Sequence, residues 1–197
     1  IYNNPSTTHF VFSKSLLIRL ATEIKHVKAF KMPLPHNVAE ELKEFQQRGL
    51  KLNLNTNTDT DNNNTDNTDG DNTDDFVIGY SGDWGCGQAL LLDGGGADSW
   101  FSVLAGTLPI PAIQLYQAAK QNDVATFERL QADLAPLWLL FQKFGSLRVV
   151  YTIIQELQLL GNDFDYDASC CLPKPILPLS GQDRVLVMDA LRCLPVE

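Results

Sequence analysis

The chain has 197 residues, enough for one large domain or one domain with an appendage, and 44% are apolar, so a sizeable core can be buried. Its formal charge of −9 is mostly local: Asp59, Asp61, Asp66, Asp69, Asp71, Asp74 and Asp75 crowd one polar tract, and the rest carries only −2. That balance leaves no basic face for nucleic acid, and apolar runs such as Leu137 to Phe141 are far too short to span a bilayer.

The first landmark is Ile1-Tyr2-Asn3-Asn4-Pro5-Ser6, an apolar strand end closed by a turn. The chain opens inside that strand, so further sequence is expected upstream of Ile1. Residues 13–25 read as a helix: Leu16, Leu17, Leu20, Ala21 and Ile24 fall at helical spacing, with Ser13 as N-cap. Residues 26–31 form a short apolar strand ending at Lys31, and Pro33 and Pro35 force an extended exit. Asn37 caps a helix that runs through Arg48 and stops at Gly49.

Residues 53–75 are an Asn/Thr/Asp tract with almost no apolar side chains. Such a segment cannot repay its ordering entropy, so a disordered insertion is expected. A calcium loop is the sharper alternative, but Asn64 stands where that loop needs glycine and Gly70 where it needs glutamate. Order resumes at Phe76-Val77-Ile78-Gly79-Tyr80, a strand ending in Ser81-Gly82-Asp83. A helix over about 84–93, a tight turn at Gly94-Gly95-Gly96 and a strand over 99–103 follow. Pro109 opens a helix to about Gln121. Helices over 124–144, 146–160 and 180–193 complete the chain, with an Asp- and Pro-rich loop at 161–179. Alternating β and α elements thus give way to a helical tail, dividing the chain into 1–123 and 124–197.

The four cysteines, Cys86, Cys170, Cys171 and Cys193, form no CxxC pair and have no histidine at metal spacing. Adjacent Cys170 and Cys171 are poorly placed for a disulfide, so reduced thiols and a cytoplasmic location are expected. His9, His26 and His36 are scattered and read as surface residues. No metal and no organic cofactor is implied.

The chemistry gathers at Tyr2 and Lys31. Their spacing fits one βα unit of a (β/α)8 barrel, whose strand ends aim side chains into an active site. A lysine held there in apolar surroundings can lose its proton near neutral pH and attack a ketone, and a nearby tyrosine can shuttle the proton. Lys28 is the rival nucleophile, but Lys31 lies closer to the strand's end. The plainer alternatives are a surface lysine and a core tyrosine whose hydroxyl is satisfied by backbone.

Several segments carry a family likeness in order and spacing. Tyr2-Asn3-Asn4-Pro5-Ser6 resembles the fifth-strand tyrosine motif of the dihydrodipicolinate synthase/N-acetylneuraminate lyase family, and Phe30-Lys31 its Schiff-base lysine. Gly79-Tyr80-Ser81-Gly82-Asp83 is similar to its seventh strand. Ala97-Asp98-Ser99-Trp100-Phe101-Ser102-Val103 is similar to its eighth, where the family's motif has glycine at the position of Ser99. Leu115-Tyr116-Gln117-Ala118-Ala119 with Asn122-Asp123 resembles its eighth helix.

The resemblance implies an α/β fold: the second half of a TIM barrel, strands 5–8, with a C-terminal helical bundle. It implies a Schiff-base-forming lyase of the class I aldolase type acting on pyruvate or another 2-oxo acid, and a homo-oligomer in the complete enzyme. A sugar-acid dehydratase using the same lysine, or a truncated non-catalytic remnant, are the alternatives. Lys31 and Tyr2 are the implied catalytic residues; Ser81, Gly82 and Phe101 are the implied substrate contacts. Ser81 and Asp83 read equally well as helix-capping polarity, Gly82 as a turn glycine, and Trp84 and Trp100 as core or pocket wall. Phe30, Ile78 and Phe101 are expected together in the barrel's inward layer. Arg148 is assigned to packing or an ion pair rather than to substrate. Thr7 stands where family members making dihydrodipicolinate usually carry an arginine; a hydroxyl cannot replace that bidentate fork, which argues against a strict dihydrodipicolinate synthase.

Overall fold

The structure, a computed structural model, describes residues 1–52, 54–55, 76–91, 96–159, 161 and 172–194. In chain order the elements are α1 (Pro5–Thr8), α2 (Lys14–Glu23), β1 (Ala29–Pro33), α3 (Val38–Gln47), β2 (Leu54–Asn55), β3 (Val77–Ser81), α4 (Cys86–Leu90), β4 (Gly96–Ala97) and β5 (Ser99–Phe101). The helices α5 (Pro109–Lys120), α6 (Val124–Phe144), α7 (Ser146–Glu156) and α8 (Gly181–Arg192) follow.

Local chemistry sets many of the boundaries. The Ser13 side chain accepts from the Leu16 amide, Asn37 from Glu40 and Asp123 from Thr126, so α2, α3 and α6 each begin at a side-chain oxygen. Gly49, at φ 93°, takes the left-handed conformation that ends α3. Some elements differ from the sequence expectation. β1 starts later and runs on through Pro33, paired with Ser81. The strand over 99–103 stops at Phe101, because Val103 turns into right-handed helical backbone and leads a 3-10 turn over Leu104–Gly106. The helix over 84–93 is a 3-10 turn at Asp83–Gly85 followed by α4, and α7 ends at Glu156.

The expected disordered insertion over 53–75 does not hold at Leu54–Asn55. Leu54–Asn55 pairs antiparallel with Gly96–Ala97, so its backbone is tied into a two-stranded ladder. Residues 53 and 56–75, with the calcium-loop positions Asn64 and Gly70, lie outside the described residues, as do Gly94, Gly95, Cys170 and Cys171.

By internal contacts the chain forms two compact units, Ile1–Phe101 with Ala119–Asn122, and Ser102–Ala118 with Asp123–Glu197. In the second unit, α6, α7 and α8 pack mutually through Leu134, Leu137, Phe141, Val149, Ile153, Val187 and Leu191. Arg148 works there structurally: its Nε donates to the Leu177 carbonyl at 2.7 Å and Nη2 to that of Pro178 at 3.3 Å.

The first unit is built on a parallel sheet in the order β1-β3-β5. Tyr2 adds a parallel bridge to Lys31 on the free edge of β1. The register sets Lys31, Gly79 and Ser99 in one row and Pro33, Ser81 and Phe101 in the next. Register partners share a face, and alternate residues of a strand take opposite faces. One face therefore carries Phe30, Met32, Ile78 and Tyr80, which are buried with Leu17 of α2 and Val38, Leu42 and Phe45 of α3. The other carries Tyr2, Lys31, Gly79, Ser81, Ser99 and Phe101.

This corrects the expected inward layer. Phe30 and Ile78 are fully covered by helices, and only Phe101 lies on the face of Lys31. A one-residue offset in a strand reverses the face, and Phe30 is one residue from Lys31.

Candidate functional site

The face opposite the helices is where polar and reactive side chains meet. Lys31 donates its amide to the Ile1 carbonyl at 2.8 Å and accepts from the Asn3 amide at 2.9 Å, which fixes Tyr2 beside it. The Lys31 Nζ lies 4.3 Å from the Tyr2 ring centre and 4.9 Å from that of Phe101. Each aromatic face attracts the ammonium by about 0.5–1 kcal/mol at an exposed site. Tyr2 and Phe101 remain 46% and 39% exposed, so the lysine between them is reachable from solvent.

Gly79 makes this packing possible. A β-carbon there would come within 2.3 Å of the Ser99 hydroxyl and 2.5 Å of the Phe101 ring, so the missing side chain is the space those groups occupy. A glycine inside a strand marks such a close approach. The Ser99 hydroxyl is buried without a hydrogen-bond partner among the described residues.

The remaining predicted residues fall around this centre. Ser81 shares the face of Lys31, but its hydroxyl donates to the Met32 carbonyl at 3.1 Å and so ties β3 to β1. Gly82 follows at φ 122°, a conformation open to glycine, and its carbonyl accepts from the Gly85 amide. Asp83 is buried, Trp84 is exposed, and the Trp100 indole N–H is buried without a partner among the described residues. Lys28 precedes β1, at the opposite end from the Ser81 and Phe101 strand ends, with its carbonyl accepting from Val77. His9, His26 and His36 are exposed.

Asn4 completes the site and was not singled out from sequence. Its Nδ2 donates to the Tyr2 hydroxyl at 2.8 Å and to Thr7 Oγ1 at 3.0 Å, and its Oδ1 accepts from Ser6 at 2.7 Å. The available signal was an asparagine two residues after a tyrosine at a Pro-Ser turn, since short amide side chains bond locally in turns.

Behind the sheet, the Tyr80 hydroxyl donates to Glu41 Oε2 at 2.7 Å in a buried contact. Burial pushes the Glu41 carboxyl above its ordinary range, opposed by the Tyr80 hydrogen bond and the Lys14 charge and reinforced by Glu44. Burial and the adjacent carboxylate push the Tyr80 phenol strongly upward. Among the described residues no cluster of three or more His, Cys, Asp or Glu side chains could hold a metal ion, and no helix is long and apolar enough to cross a membrane.

A parallel sheet with α2 and α3 on one face and a lysine between two aromatic rings on the other defines an α/β unit with its reactive groups on the face opposite those helices. No family model and no curated protein matches the chain. Solved structures do. Dihydrodipicolinate synthase from Agrobacterium tumefaciens str. C58 is 41% identical over 98% of this chain and 54% of its own, with a TM-score of 0.74. Dihydrodipicolinate synthase from Aquifex aeolicus is 19% identical, over 98% of this chain and 53% of its own, with a TM-score of 0.68. N-acetylneuraminate lyase from Fusobacterium nucleatum is 18% identical over 98% and 53%, with a TM-score of 0.64. The chain belongs to the dihydrodipicolinate synthase/N-acetylneuraminate lyase family, an enzyme family of aldolase-type lyases, and spans about half the length of the structures it matches.

Proposed function

We propose that this chain carries the reactive lysine of a Schiff-base-forming lyase of the class I aldolase type, acting on pyruvate or another 2-oxo acid. The chain would supply strands 5–8 of a (β/α)8 barrel and the C-terminal helical bundle of a homo-oligomeric cytoplasmic enzyme. The observation that carries this reading is the Lys31 ammonium between the rings of Tyr2 and Phe101 on the sheet face opposite α2 and α3.

The chemistry follows from those groups. The neutral Lys31 amine attacks the ketone carbon, and a proton moves from nitrogen to oxygen to give a carbinolamine. Tyr2 delivers its phenolic proton to the carbinolamine hydroxyl, the carbon–oxygen bond breaks, and water leaves. The nitrogen lone pair closes the protonated imine, and the phenolate recovers a proton from solvent. With a 2-oxo acid that carries a hydroxyl on its β-carbon, the iminium accepts the electron pair of the bond between the α- and β-carbons as it breaks, leaving an enamine on Lys31 while the hydroxyl gives its proton to solvent and becomes a carbonyl; with pyruvate the same steps run in reverse. Phe101 walls the site, while Ser81 and Gly82 shape its strand-end rim. Thr7 offers a hydroxyl rather than a guanidinium fork, which supports a second substrate held by hydrogen bonds rather than by a paired carboxylate.

Borohydride reduction in the presence of pyruvate tests the reading by peptide mass. The expected adduct is on Lys31 and is lost in Lys31→Ala. An adduct on Lys28, or unchanged labelling in Lys31→Ala, overturns it.

A further inference from the structure

The Tyr2 ring lies against the Lys31 ammonium, and among the described residues its hydroxyl accepts one hydrogen bond, from the Asn4 amide. The amide's own orientation is set, because Ser6 donates to Asn4 Oδ1 at 2.7 Å and so turns Nδ2 toward Tyr2 and Thr7. Pro5 opens α1 directly after Asn4, and the Thr7 and Thr8 amides both donate to the Asn4 carbonyl, at 3.1 and 2.9 Å. The asparagine is therefore fixed at backbone and side chain alike.

A phenol oxygen that accepts from an amide keeps its own O–H to give away. The Tyr2 hydroxyl donates no hydrogen bond within the described residues, and the Tyr2 side chain is exposed on the face of Lys31. We infer that Asn4 is a positioning residue for proton transfer by Tyr2: it holds the phenol oxygen so that the O–H points at a substrate bound to Lys31. This role rests on the lyase reading above. Asn4 touches neither Lys31 nor, by this inference, the substrate; it acts through Tyr2.

The amide also supports the phenolate that remains after the proton has left, since a donor aimed at a developing oxyanion is worth more than one aimed at a neutral oxygen. Asp at this position would keep the shape and the acceptor for Ser6. Its second oxygen, however, would accept the Tyr2 proton and turn it away from the substrate.

The test uses the protein as its gene encodes it, with pyruvate as probe, and two variants, Asn4→Ala and Asn4→Asp. The rate of borohydride-trapped imine formation at Lys31 is expected to fall about 10–100-fold in both, as for lost positioning groups elsewhere, with half-saturation by pyruvate within about twofold of the unmutated value. On a Tyr2→Phe background neither variant should cost anything further. A 13C-labelled tyrosine ring gives a second readout that needs no activity: the Cζ resonance of Tyr2 should move in both variants, with the thermal midpoint unchanged. An unmoved resonance, or an equal loss on the Tyr2→Phe background, overturns the assignment of Asn4. A missing lysine adduct in the unmutated protein with a moved resonance instead overturns the lyase reading, and the catalytic meaning of the contact with it.

Discussion

Lys31 and Tyr2 face each other across a parallel bridge between two backbone segments, with the lysine Nζ 4.3 Å from the centre of the phenol ring. The backbone holds the pair: the amide and carbonyl of Lys31 bond to the carbonyl of Ile1 and the amide of Asn3, the residues flanking Tyr2. Neither side chain needs to search for the other.

Tyr2→Phe separates the ring from the hydroxyl. The variant keeps an aromatic face against Lys31 and loses only the O–H. Imine trapping at Lys31 should persist, while turnover falls by about 10²–10⁴-fold, the usual contribution of a positioned proton carrier. Turnover near the unmutated rate would assign the hydroxyl to structure instead.

Gly79→Ala should disturb the site through sterics. The new methyl would lie 2.3 Å from Ser99 Oγ and 2.5 Å from Phe101 Cε2, so both side chains must move. Overpacking of this kind costs about 1–3 kcal/mol. The midpoint of thermal unfolding should drop, and pyruvate trapping at Lys31 should weaken as Phe101 leaves its place. Pairing Gly79→Ala with Ser99→Gly should recover part of the lost stability. No recovery would show that the Phe101 contact alone sets the cost.

Glu41→Gln makes stability depend on pH in a defined direction. The folded carboxyl is held above its ordinary range, chiefly by burial. The folded state therefore binds the proton more tightly than the unfolded chain, and stability falls as pH rises from the ordinary carboxylate range through the raised folded value. Glutamine keeps an acceptor for the Tyr80 hydroxyl without a charge to bury. It loses the attraction of Lys14, which is smaller than the burial effect. At pH 7 the variant should melt higher by about 2–4 °C, the shift that ~1 kcal/mol produces in a chain of this size. Near pH 4 the difference should vanish. A lower midpoint at pH 7 would mean the Glu41 charge is net stabilising.

Thr7 makes a prediction about substrate choice. Its hydroxyl accepts from Asn4 and offers no bidentate partner to a carboxylate. An assay for dihydrodipicolinate formation from pyruvate and aspartate semialdehyde should show little product beside efficient trapping of pyruvate. Efficient synthesis would overturn the inference and align this protein's activity with the name borne by its 41%-identical relative.

What the sequence determined by itself was local or carried by motif. Ser13, Asn37 and Asp123 mark helix starts because a short polar side chain reaches an amide two or three residues away. Helical periodicity placed α2, α6 and α8, and an N-cap with a terminal glycine placed α3, to within a few residues. The family was legible from motifs in order and spacing, the same motifs that single out Tyr2, Lys31, Ser81, Gly82 and Phe101 as candidates. The tertiary structure decided everything that depends on register between strands far apart in the chain. Only pairing shows that Phe30 and Ile78 face helices while Lys31 and Phe101 face away, since a single-residue shift exchanges the two faces. Only pairing puts Gly79 beneath Phe101, ends β5 at that residue and draws Leu54–Asn55 into a ladder. The Tyr80–Glu41 hydrogen bond joins residues 39 apart, and neither residue carries a local sign of the other. These contacts form when β3 pairs with β1 and α3 packs behind it, and a one-dimensional pattern does not encode which atoms that brings together.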